Sequence, residues 1–140
     1  MTIKYLEDIA IADIAFEVIS DTVNSLFEEC AHAVLEQHAD LSKIEEKTKK
    51  TINVEEDDIK QLLYDFLSEI IYLIDTESMI FKRAEVSISE DNKKLTASLF
   101  GEKIDRDRHE LKAEIKAITM HMFNVEKRQD KWYAHVIVDV

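Results

Sequence analysis

Apolar and polar positions alternate at Ile14, Phe16 and Val18, with Ala15 and Glu17 between them, so residues 13–19 read as a strand. Residues 2–7 form a shorter one. The spacing then lengthens. Val23, Phe27, Cys30 and Val34 share one helical face, and Ser20 or Asp21 is placed to cap that helix. Residues 44–54 are mostly polar and read as an edge strand. Ile59, Leu62, Leu63, Phe66, Leu67, Ile70, Ile71 and Ile74 then step by threes and fours, predicting a core helix of roughly 18 residues. The acids Glu55 to Asp58 mark its start, with carboxylates in the first turn where the helix dipole favours them. A strand-rich region closes the chain. Residues 81–91 and 94–103 alternate around a turn at Asn92–Lys93. In 131–140, Trp132, Ala134, Val136 and Val138 oppose Tyr133, His135, Ile137 and Asp139. Residues 105–118 fit a helix, through Leu111, Ile115, Ile118 and Met122. They also fit a strand whose phase slips at Ala117–Ile118, as a bulge would cause.

With 140 residues, no internal repeat and no low-complexity linker, the chain is expected to form one domain over residues 1–140. The expected fold is α+β: a two-layer single domain with a mixed or antiparallel β-sheet packed against two main helices. Thirty acids against 18 Lys and Arg give a net charge of −12, which disfavours direct, tight nucleic-acid binding. Cys30, the one cysteine, has no internal disulfide partner and reads as a core residue. Proline is absent and Gly101 is the one glycine, so no glycine-rich phosphate loop exists. The missing GxSxG and HExxH patterns remove two hydrolase classes. Without a signal peptide or an apolar run near 20 residues, a soluble cytoplasmic protein with no membrane partner is expected.

Four stretches carry a family resemblance. IADIAF (11–16) is similar to an HTADVGI-type signature, LLYDFLSEIIYLIDTESMIF (62–81) to a core helix with a DTE…F exit, and VIVDV (136–140) to a V-V-hydrophobic-D-I ending. The most specific is GEKIDRDRHELKAEIKAITMH (101–121), which follows GE-x-x-D-x-x-RHELKTEIKAVTYH. In this order they cover nearly the whole chain and resemble the archease family. Ala10-Ile11 stands where the family has His-Thr, Ala15 where it has glycine, and Ala113 where it has threonine. The resemblance is also the ground for choosing strand from about residue 113.

The resemblance implies a small α+β protein that is not itself an enzyme. It would activate an RtcB-type RNA ligase of tRNA splicing and RNA repair, promoting guanylylation of the ligase and multiple turnover. It implies a divalent-metal site at Asp13, Asp139 and Val140, the last through main-chain oxygens or a terminal carboxylate. Calcium is favoured, with magnesium or manganese as alternatives, since hard cations take carboxylate and carbonyl oxygens. Lys103, Lys112, Lys116 and His121 are candidate partner contacts. Without the resemblance, Asp13 and Asp139 read as solvated strand residues, and His109 and His121 as hydrogen-bonded structural side chains. Lys112, Glu114 and Lys116 then read as one strand face with cross-strand ion pairs. A metal-dependent small hydrolase and a metal-free, chaperone-like interaction module are the alternatives.

Overall fold

The computed structural model describes residues 2–6 and 13–140. Its strands are β1 (Thr2–Leu6), β2 (Asp13–Ser20), β3 (Thr48–Glu55), β4 (Met79–Ile88), β5 (Lys94–Lys103), β6 (Ala117–Arg128) and β7 (Lys131–Asp139). The helices are α1 (Val23–His38) and α2 (Ile59–Glu77). This is the expected α+β domain with two main helices. Its strands divide into two sheets, ordered β1-β2-β7-β6 and β3-β5-β4, and every ladder is antiparallel.

The two helices and the inner faces of both sheets share one core. Phe16, Val18, Ala134, Val136 and Val138 enter it from the first sheet, and Ile52, Leu95, Ala97 and Leu99 from the second. The apolar stripe of α2 buries Leu62, Leu63, Phe66, Leu67, Ile70 and Ile71. Each such side chain stabilises the fold by about 1.5–3 kcal/mol relative to exposure. The ring of Phe66 stacks on Phe27 of α1 at 6.0 Å.

Caps and borders differ from the sequence reading in specific ways. Thr22, not Ser20 or Asp21, caps α1: its backbone is extended and its hydroxyl accepts from Ser25 N at 3.1 Å. Ser20 is still in β2, and Asp21 is engaged by Lys131. Asp58 is the N-cap of α2, accepting from Gln61 N at 2.8 Å, and no acid lies in the first turn itself. The edge strand expected over 44–54 begins at Thr48, after a short 3-10 turn at Leu41–Lys43.

The larger correction concerns 105–118. The segment is a helix nowhere, and strand begins at Ala117 rather than 113. Residues 104–116 form an irregular strap because their backbone groups find partners outside any ladder. Ile104 N bonds Ser78 O, Lys112 N bonds His38 O and Ala113 N bonds Gln37 O, so the strap satisfies carbonyls at the end of α1. Lys112, Glu114 and Lys116 therefore do not form a strand face, and no cross-strand ion pair joins them among the described residues. The phase slip lies further on, between Thr119 and Asn124.

Helix α1 also closes the open edge of β4. Glu28 Oε2 accepts from Val86 N at 2.8 Å and Asn24 Oδ1 from Ile88 N at 3.0 Å. Side chains thus replace the missing neighbour strand. No described helix is long and apolar enough to cross a membrane.

Candidate functional site

The β2–β7 ladder sets Asp13 directly opposite Asp139. Facing residues in an antiparallel pair hold their Cβ atoms about 4.5–5.5 Å apart, and like charges so placed destabilise the pair. Both aspartates are half-buried at the end of the sheet. On the other side of β7, Ala117 faces Asp139, and Lys116 N donates to Asp139 O at 2.8 Å. Val140 is half-buried and packs against the main core. The structure thus brings together the three residues expected at the metal site. It does not add to them: among the described residues no group of three His, Cys, Asp or Glu side chains is placed to hold an ion. The donor set fits a hard divalent cation in kind, with two carboxylates and main-chain oxygen, and water would complete the shell. Ala10-Ile11 lies outside the described residues.

The candidate partner contacts separate. Lys116 adjoins Asp139 through its backbone, and exposed His121 lies in the irregular part of β6 beside it. Exposed Lys112 sits over the end of α1. Lys103 belongs to the other sheet, where its ammonium donates to Glu77 O at 2.7 Å at the C-terminus of α2. A cation there satisfies a helix-end carbonyl and complements the dipole.

The GE…D…RHE stretch builds a buried polar knot that sequence reasoning left as a motif. Glu102 is 3% exposed. It accepts from Glu45 N at 2.6 Å, from the two terminal guanidinium nitrogens of Arg108, and from His109 Nε2 at 3.0 Å. Asp105 N donates to His109 Nδ1 at 2.9 Å, which assigns the histidine proton to Nε2. The Arg108 guanidinium, with the donated bonds from Glu45 N and His109, holds the Glu102 carboxyl far below the usual carboxylate range against the opposing effect of burial. Gly101 is required beside it. A Cβ there would lie 2.0 Å from Ile80 O and 2.7 Å from Phe81 Cα, where β4 crosses close at its own bulge. His109 is the hydrogen-bonded structural residue expected. Glu102 and Arg108 both lie in the GE…D…RHE motif, which was the signal that could have marked them, but no spacing in it tells that the two side chains meet.

A small antiparallel α+β domain with a facing aspartate pair at one sheet end, and a Glu102–Arg108–His109 knot whose carboxylate and imidazole are buried, is the class defined so far. Comparison with known proteins narrows it. The model of the "Archease protein family (MTH1598/TM1083)" matches residues 4–140, so the chain belongs to the archease family. It is 37% identical over 132 residues to protein archease of Pyrococcus abyssi and 38% identical over 132 residues to that of Pyrococcus furiosus. In both cases 92% of this chain and 93% of the relative are covered. The solution structure of protein 1598 of Methanobacterium thermoautotrophicum superposes with a TM-score of 0.82 at 29% identity, covering 99% of this chain and 98% of that one. A crystal structure from Thermotoga maritima, described as an archease and possible chaperone, has a TM-score of 0.69 at 21% identity. It covers 94% of this chain and 93% of that one, and shares the fold.

Proposed function

We propose that this chain is a non-catalytic, cytoplasmic activator of an RtcB-type RNA ligase of tRNA splicing and RNA repair. In this reading it docks on the ligase, promotes guanylylation and then leaves, so that one copy serves many cycles. The observation that carries the reading is the facing pair Asp13 and Asp139, two like charges in register at a sheet end. Such a pair favours an occupant that neutralises it. A divalent cation, calcium in preference to magnesium or manganese, would be held by Asp13, Asp139 and main-chain oxygen of Val140. When bound, it supplies positive charge that attracts phosphate or carboxylate oxygens. The protein's own part is positional: the β2–β7 register holds the carboxylates together, and the Lys116 bond fixes the main chain of Asp139. The net charge of −12 suits docking to a protein rather than holding RNA directly.

The test is ligase turnover with GTP and manganese, adding the wild-type chain or folded Asp13→Ala and Asp139→Ala variants. The expected result is many ligations per ligase with wild type and few with either variant. No effect of the folded wild type on its cognate ligase overturns the ligase reading. Equal stimulation by the variants leaves a metal-free, chaperone-like module instead. Turnover of nucleotides or phosphoesters by the chain alone would favour the hydrolase reading.

A further inference from the structure

Strand β6 breaks register beside the aspartate pair. Thr119 faces Ile137 and Asn124 faces His135, so five steps along β6 match two along β7. The three surplus residues are thrown out of the ladder on the open edge of the sheet. Phe123 returns to the core and meets the Tyr64 ring of α2 edge-on at 5.7 Å. Met120 and Met122 do not: they are 50% and 57% exposed. Met122 also has φ of 54°, in the left-handed region that disfavours a side chain with a Cβ. The conformation is held from below, where His135 Nδ1–H donates to Met122 O at 2.8 Å. Thr119 Oγ1, at the base of the bulge, is buried without a partner among the described residues. The flip returns Phe123 to the core, but it also keeps a strained backbone that leaves two thioethers in water, and their exposure has no counterpart inside the fold.

We infer that the Met120–Met122 bulge is a protein-docking finger, its two methionines entering an apolar socket of the partner next to whatever the aspartate pair engages. Several observations favour a protein socket over RNA. The bulge opens three residues after Ala117, which faces Asp139, so both features lie along the same end of the β6–β7 ladder and would meet one partner surface. The chain is strongly acidic, which repels a phosphate backbone. Methionine is flexible and polarizable, suited to filling an irregular apolar pocket. The occupant assigned here is the RNA ligase, so the inference rests on the function proposed above.

The test is binding of the full chain to the purified cognate ligase by fluorescence anisotropy. It compares wild type, Met120→Ser, Met122→Gly, the double variant and Tyr72→Ser, which removes an exposed aromatic elsewhere on α2. Met122→Gly accepts the left-handed backbone, so its melting temperature should stay within about 3 °C of wild type or rise. The expected result is binding weakened at least about tenfold in the double variant, with Tyr72→Ser within about twofold of wild type. Double-variant binding within twofold of wild type overturns the docking finger and leaves the ligase reading standing. Equal weakening by Tyr72→Ser also overturns it, because the effect would not belong to the bulge. Failure of the wild type to bind the ligase overturns both readings together.

Discussion

Replacing Glu102 with alanine should cost about 3 kcal/mol of stability. The figure follows from what each partner can do once the carboxylate is gone. Arg108, 37% exposed along its side chain, can turn to water, and so can Lys47, whose ammonium lies 3.7 Å from Glu102. His109 cannot: its side chain is fully buried and its Nε2–H has no other acceptor among the described residues. An orphaned buried donor costs about 1–3 kcal/mol, and losing the charge-assisted bonds from Arg108 and Glu45 N adds part of another 1–3. The sum matches the roughly 3–5 kcal/mol typical of a buried pair broken from one side. In a chain of 140 residues that is a fall of about 10 °C in melting temperature. Urea unfolding at constant m is the assay, with the Glu102→Leu/His109→Phe double variant closing a cycle. The double variant should cost less than the two single changes summed, since the buried imidazole donor is no longer left facing a missing carboxylate. A loss below about 1 kcal/mol for Glu102→Ala, or strict additivity in the cycle, refutes the knot as a stabilising unit.

Other outcomes follow from the same geometry. Because the folded Glu102 carboxyl is held below its unfolded value of about 4.3, its contribution is complete above that pH and is lost as pH falls toward the folded value. Acid unfolding curves of wild type and Glu102→Gln should therefore begin to converge below about pH 4 and continue to close as the pH falls further. Gly101→Ala should cost at least about 3 kcal/mol or abolish soluble expression, because the new Cβ meets backbone of β4 that cannot yield. In chelator, Asp139→Asn should raise the melting temperature slightly by relieving like-charge repulsion, with a gain below about 1 kcal/mol. Added calcium should stabilise wild type and leave that variant unmoved, measured by thermal shift. Cys30 is fully buried and its thiol is pushed well above the ordinary value by desolvation, so it should react with a thiol reagent only on unfolding.

The parts of this fold legible in the sequence are those whose burial is one-sided and regular. The α2 stripe and the alternation of β7 came through because each buries a single face. The strap was not legible. Its backbone bonds go to carbonyls at the end of α1, a tertiary fact that no local period encodes. The β6 bulge was visible as a phase conflict but misplaced. Ile118 and Phe123 both enter the core, and their odd spacing demands a flip between them. The exposed methionines, apolar by type, masked where it falls. The aspartates were placed at one site by family resemblance, since nothing in two isolated acids 126 positions apart announces that they face each other.

That separation has a kinetic meaning. Joining Asp13 to Asp139 closes a loop spanning nearly all of the described chain, a long-range contact that contributes little until the intervening elements are in place. Partly folded chains can hold α1, α2 or the β4–β5 hairpin, but they cannot hold the paired carboxylates. A ligand of that pair therefore binds only completed molecules and draws the folding equilibrium toward them. The same ladder that positions the acids thus acts as a proofreading step: the paired-acid end of the sheet exists only after β2 and β7, from opposite ends of the described chain, have met.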